Sequence, residues 1–138
     1  MSKPLDLGTL QFRDYGNKLT ASPSLGIKPF TGRVVLLTDE GTASTSEILA
    51  AGLQEARRAV VVGDSTLGAA LPSAIERLPG GAVMQYIVAD FRTPKGVLLE
   101  GRGVQPDRRV IETRAGLVGG RDPVLDAGLV AARASSLP

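Results

Sequence analysis

The chain has 138 residues, 43% of them apolar, and a net charge of +2, enough for one modest domain with a buried core. It contains no Cys and no His, which excludes a disulfide framework, a thiol nucleophile, a Cys- or His-based metal site and the commonest general base. The Lys and Arg residues are scattered without interleaved aromatics, so nucleic acid is not an expected partner.

Residues 1–32 are turn-rich; LGTLQFRDYG suggests one strand and TASPSLGIKPFTG a loop. From Arg33 the pattern sharpens. RVVLLTD is a continuous apolar run, which predicts a strand covered on both faces. Residues 46–57 follow as a helix with Ile48, Leu49, Leu53 and Ala56 on one face, and AVVVGD is a second strand of the buried type. Together they form a βαβ unit with parallel strands. SAIERL and AVMQYIVADF, separated by PGG, predict a hairpin. RTPKGVLLEGRGVQPDRRV reads as short strands and turns, and Asp122-Pro123 opens a final helix with Asp as cap and Pro at its first position. No run approaches the length of a transmembrane helix, and the start, MSKPLDLGTL, lacks the apolar centre of a signal peptide. The expected class is α/β.

The segment Asp39-Glu40-Gly41-Thr42-Ala43-Ser44-Thr45-Ser46-Glu47 joins the first buried strand to the helix. Its simplest reading is a capping box, in which Ser44 accepts from the N–H of Glu47 and Glu47 reaches back to Ser44. A second reading stays open beside it. Ser44 lies past the C-terminal end of a buried strand, where α/β sheets place ligands. It also stands at a helix N-terminus, whose free N–H groups favour a developing oxyanion.

TGRVVLLTDEGTASTSEILAAGLQEARRAVVVGDSTLG, then LPGGAVMQYIVADFRTPKG and EGRGVQPD, resembles the C-terminal processing (tail-specific) serine peptidases over about residues 30–107. The resemblance implies a crotonase/ClpP-like α/β core, incomplete relative to the full peptidase domain. Residues 1–32 would be an N-terminal strand and loop segment, and residues 33–138 the C-terminal portion of the domain. It further implies Ser44 as nucleophile, the Thr45 N–H as one oxyanion donor, and protein or peptide tails as substrates. No cofactor or metal is implied. For a full-length parent it suggests an extracytoplasmic location, although this chain shows no signal peptide.

Two departures stand out. The family's dyad Lys falls in a T-F-G-K-G segment, which here is Thr66-Leu67-Gly68-Ala69-Ala70. Ala69 occupies the Lys position, and none of Lys3, Lys18, Lys28 or Lys95 matches the motif. A related branch of tricorn-type and chlamydial proteases uses Ser, His and a Glu before G-V-x-P-D. Glu100 matches that Glu, but there is no His; Asp107 after Pro106 reads as a turn residue. Nothing in residues 1–32 matches the family's upstream oxyanion segment. Little or no activity is therefore expected of the chain alone. The alternative is a non-catalytic ligand- or protein-binding module similar to the retinoid-binding repeats, and exposed apolar surface would favour a homo-oligomer or association with the rest of the domain. Gly63-Asp64-Ser65-Thr66-Leu67-Gly68-Ala69-Ala70 has P-loop glycine spacing but lacks the Lys and Ser/Thr that bind phosphate and magnesium, so nucleotide is not expected.

Overall fold

A computed structural model describes residues 4–23 and 26–134; Lys3 and the ends of both expected segments lie outside them. The chain begins with a hairpin, β1 (Leu5–Gln11) and β2 (Gly16–Ala21), where one strand and a loop were expected. β2 is polar and largely exposed, so it carries no hydrophobic period by which sequence alone would reveal it. β1 bulges between Asp6 and Gly8, and its other edge pairs antiparallel with β7 (Asp90–Arg92). At the bulge Gly8 adopts φ +122°, and a Cβ there would sit 2.7 Å from the ring of fully buried Phe91.

The βαβ unit forms as the sequence predicts. β3 (Val34–Thr38) leads into α1 (Thr45–Glu55) and returns as β4 (Ala59–Gly63), parallel to β3 from Val34–Ala59 to Thr38–Gly63. The two strands differ in environment. β4 is buried throughout, whereas β3 is an edge strand with Leu37 45% exposed, so the expected double cover holds for β4 alone. A two-residue strand, β8 (Arg108–Arg109), pairs on the far side of β4. Asp107, just before it, accepts the Val61 N–H at 2.8 Å, which ties the turn to the sheet.

The buried face of α1 also differs from the expected one. It consists of Glu47, Ile48, Ala50, Ala51 and Gly52, while Leu49 is exposed. The cause is close approach of β1. A Cβ on Gly52 would lie 2.7 Å from Leu7 Cδ2 and 3.0 Å from Leu7 Cα, so small residues must face that strand. Ile48, Ala50, Ala51, Ala70, Phe91, Leu99 and Val104 form the core.

The hairpin of β5 (Ser73–Arg77) and β6 (Val83–Ile87) forms as expected, but as a separate two-stranded sheet. After β8 come a short helix, α2 (Arg114–Val118), and α3 (Pro123–Arg133). Asp122 caps α3 by accepting the Leu125 N–H at 2.7 Å, with Pro123 at its first position. Gly128 lets α3 lie close on Leu37 of β3. Among the described residues no helix is long and apolar enough to cross a membrane.

Candidate active site

Ser44 is exposed and stands at the turn from β3 into α1, with φ +58° and ψ −128°. That backbone lies outside the extended region usual for an N-cap, and a non-glycine residue held there is strained. The strain has local supports. The Ser44 N–H is shared between the Ala69 carbonyl and Glu47 Oε2, each at 3.0 Å. The Glu47 N–H donates to the Ser44 carbonyl at 2.9 Å.

The expected capping box is present: Glu47 Oε2 accepts the Ser44 N–H, and the Ser44 side chain stands at the Glu47 N–H, which makes its hydrogen bond to the Ser44 carbonyl. Among the described residues the Ser44 hydroxyl itself makes no cap hydrogen bond. Thr45, the next residue, is the first of the helix; its N–H has no intrahelical acceptor. A free hydroxyl and a free N–H thus sit at adjoining positions on the positive end of the α1 dipole.

Glu47 is the residue whose importance the local sequence conceals. It is fully buried, without a cation beside it among the described residues. Its charge is instead spread over four donors. Oε2 accepts from Ser44 and Ala69 N–H (2.9 Å for the latter), while Oε1 accepts from Gly68 N–H at 2.7 Å and from the Thr66 hydroxyl. Charge-assisted bonds of this kind, plus the helix N-terminus, let a carboxylate stay buried. Thr66 Oγ1 in turn accepts the Val104 N–H at 2.7 Å. The S-x-x-E spacing accounts for Glu47 locally, so partners 19 to 22 residues away leave no separate signal.

Around this carboxylate three segments interlock. Leu67 N–H donates to the Thr42 carbonyl at 2.9 Å, Thr66 N–H to Val104 at 3.1 Å, and Gly101 N–H to Gly68 at 2.8 Å. Gly68 (φ +76°) permits the crossing, because a Cβ there would press on the Arg102 and Gly103 amides. Ala69 is consequently brought against the Ser44 backbone, and its side chain is exposed. Glu100 is partly buried, and its Oε2 accepts the Ala70 N–H at 2.9 Å, one residue from Ala69.

Lys18 and Lys95 make their contacts away from this turn. Lys18 pairs with Asp6 at 2.8 Å on the β1–β2 hairpin. The Lys95 amide bonds Glu55 at the C-terminal end of α1, the opposite end from Ser44, roughly 16 Å away along an 11-residue helix.

Beside the turn, at the C-terminal ends of β3 and β4, opens a cavity of about 380 Å³. Thr38, Asp39, Thr42 and Asp64 line it, but Ser44 does not. The Asp64 carboxyl is held below its ordinary value, first by the Ser65 N–H and then by the Arg109 guanidinium at 3.1 Å. Among the described residues no three His, Cys, Asp or Glu side chains converge as metal ligands.

Similarity to known proteins agrees with this architecture. The carboxyl-terminal-processing protease of Picosynechococcus sp. is 42% identical over 77 residues, which is 56% of this chain and 19% of that protein. The chloroplastic C-terminal processing peptidase of Tetradesmus obliquus is 38% identical over 74 residues, 54% of this chain and 16% of that one. The chain thus spans about a fifth of the length of the first of these relatives. Among solved structures, a putative peptidase from Parabacteroides merdae superposes with TM-score 0.78 at 20% identity, covering 99% of this chain and 45% of that one. The photosystem II D1 C-terminal processing protease gives 0.70 at 24% identity, covering 100% and 34%. These two likenesses bear on fold, which is that of the α/β peptidases. The model of peptidase family S41 matches residues 6–110, and the chain belongs to that family.

Proposed function

We propose that the chain is the C-terminal portion of a serine-type peptidase domain that cleaves peptide bonds near protein C-termini, with Ser44 as the nucleophile. The observation that carries this reading is the combination at Ser44: an exposed, strained residue at a strand-to-helix turn whose backbone is fixed and whose hydroxyl makes no cap hydrogen bond. In the proposed step Ser44 Oγ attacks the scissile carbonyl carbon, and the carbonyl oxygen takes up the electron pair as an oxyanion. The Thr45 N–H donates to it. The hydroxyl proton must leave to a base. Ala69 stands where the dyad Lys is expected, and a methyl group accepts no proton. Glu100 supports the neighbouring Ala70 amide and is a candidate to orient a base supplied from outside this chain. The chain alone therefore hydrolyses little or nothing.

Labelling with a fluorophosphonate tests the reading. Slow modification that disappears in Ser44→Ala is expected. Rapid modification of Ser44 would overturn the inactivity, and labelling unchanged in Ser44→Ala would overturn the nucleophile.

A further inference from the structure

The parallel sheet is open on one side. β3 is its edge strand, and among the described residues nothing pairs along its outer side. The hydrogen bonds to β4 show which backbone groups face outward. Thr38 stands opposite Gly63, and its carbonyl accepts the Asp64 N–H at 2.9 Å. In a parallel ladder this puts the bonds of Val34, Leu36 and Thr38 on the β4 side, so Val35 and Leu37 turn their N–H and C=O groups to the open edge. The same parity continues across β4, where the Val61 N–H and the Gly63 carbonyl bond on the far side, to Asp107 and Val110. Nothing blunts the edge, since residues 34–38 hold no Pro and no charged side chain. An apolar helix flank borders it. α3 packs on both β3 and β4, with Gly128 against Leu37 and Val35. On one side of Gly128 the residues Val124, Ala127 and Ala131 are half-buried, toward β4; on the other, Leu125 and Leu129 are 44% and 43% exposed. Those two leucines therefore stand over the open edge, beside Leu37.

This edge is complementary to itself. Two copies of β3 related by a two-fold axis at Leu36 run antiparallel, with Val35 opposite Leu37 of the second copy. Both residues already have the outward N–H and C=O that such a pair requires. The same register sets Arg33 opposite Asp39 of the second copy, once on each side of the axis. Arg33 spends one guanidinium nitrogen on the Ala131 carbonyl at 3.1 Å, and Asp39 Oδ1 holds the Gly41 N–H and the Thr42 hydroxyl. Neither forms an ion pair among the described residues. The Asp39 backbone is closed on Thr42, which ends the ladder there and limits the registers open to it. The axis leaves both copies of α3 on one face. Helices seated between two strands then lie about two strand spacings apart, roughly 9–10 Å, which is a helix-packing distance.

We propose that the open edge of β3 joins two copies of this chain into a two-fold dimer with one continuous sheet, in which Val35 pairs with Leu37, Arg33 with Asp39, and α3 packs on its mate through Leu125 and Leu129. A closed isologous contact of this kind satisfies the edge and covers the apolar flank together. It is independent of the chemistry at Ser44.

Sedimentation equilibrium of the full chain from about 1 μM to about 500 μM should give a monomer–dimer isotherm. Exchange of the Val35 and Leu37 amides should slow by about tenfold or more as the dimer forms. Arg33→Asp or Asp39→Arg alone sets like charges opposite each other and should weaken the dimer by about tenfold. An equimolar mixture of those two variants restores both opposite-charge pairs and should return the affinity to within about threefold. A fold defect in either variant would not be rescued by mixing. Leu129→Lys, at an exposed helix position, should weaken the dimer by about tenfold without loss of helix by circular dichroism. A chain that stays monomeric at the highest concentration overturns the proposal and leaves the edge to a different polypeptide. So does a dimer whose Val35 and Leu37 amides exchange at the monomer's rate, since the contact then lies elsewhere. Slow exchange there at every concentration also overturns it, because another segment of the same chain then covers the edge. With both charge variants folded, a mixture no tighter than either alone rejects the antiparallel register.

Discussion

The Ser44 N–H donates to the Ala69 carbonyl at 3.0 Å. Residues 25 positions apart in sequence are thereby held backbone to backbone, and the Ala69 side chain faces solvent rather than core. A longer side chain at 69 meets no packed interior. Ala69→Lys is expected to raise the fluorophosphonate labelling rate of Ser44 by about a hundredfold, the low end of what a positioned base contributes. The gain should grow with pH as the ammonium loses its proton, and Ser44→Ala should abolish it. An unchanged rate in Ala69→Lys would show that residue 69 does not address the Ser44 hydroxyl.

Glu47 holds the same turn from inside. Glu47→Ala leaves the Gly68 and Ala69 N–H groups and the Thr66 hydroxyl without their acceptor, while the Ser44 N–H keeps the Ala69 carbonyl, at about 1 kcal/mol or more for each group left unpaired. A loss of about 3 kcal/mol in urea unfolding is expected. Thr66→Val keeps the volume and removes one donor to Glu47 and one acceptor for Val104, so it should cost less, about 1–2 kcal/mol. If Thr66→Val costs as much as Glu47→Ala, the carboxylate is not the centre of this network.

The reach of sequence reasoning follows from where each element draws its information. VVLL and AVVVG announce β3 and β4 because buried parallel strands need continuous apolar runs. PGG announces the β5–β6 turn and Asp122-Pro123 announces α3, since both are local chemistry. Other features depend on contacts distant in sequence. Leu49 looked like a core residue, but β1 approaches α1 at Gly52 and leaves Leu49 in solvent. β2, NKLTA and its preceding Gly, is polar and held by pairing with β1. At the candidate site the position of Ser44 was legible as a helix start. Its strained backbone and the convergence of residues 66–70 on Glu47 were not, because a local cap explains the same letters.

Asp64 gives the molecule a defined acid response. Its carboxyl is held below 3.8, mainly by the Ser65 N–H at 2.8 Å and further by Arg109. A depressed native value means that ionised Asp64 favours the folded state above the unfolded value, and that this contribution is lost as pH falls through the native one. The window therefore lies below pH 3.8. A carboxyl titration followed by NMR should show a midpoint below that of an Asp in an unfolded chain. Arg109→Ala should raise the midpoint only part of the way, because the Ser65 bond remains. Full return to the ordinary value of an Asp would make Arg109 the dominant cause.

The strain at Ser44 makes a last, separable prediction. Its φ of +58° with ψ −128° is a conformation that glycine adopts freely and other residues occupy at a cost of about 1–3 kcal/mol. Since the Ser44 side chain makes no cap hydrogen bond to offset that cost, replacing it with glycine loses no hydrogen bond seen at the cap. Ser44→Gly should therefore be more stable than Ser44→Ala in urea unfolding, by about 1 kcal/mol, although both lack the hydroxyl and neither should react with a fluorophosphonate. Glycine's greater freedom in the unfolded chain opposes the effect and keeps it near the lower end of the range. The contrast between the two variants isolates the backbone from the nucleophile. Equal stability would mean that the turn relaxes when the side chain is shortened, and that its strained geometry is not imposed by the Glu47 and Ala69 contacts.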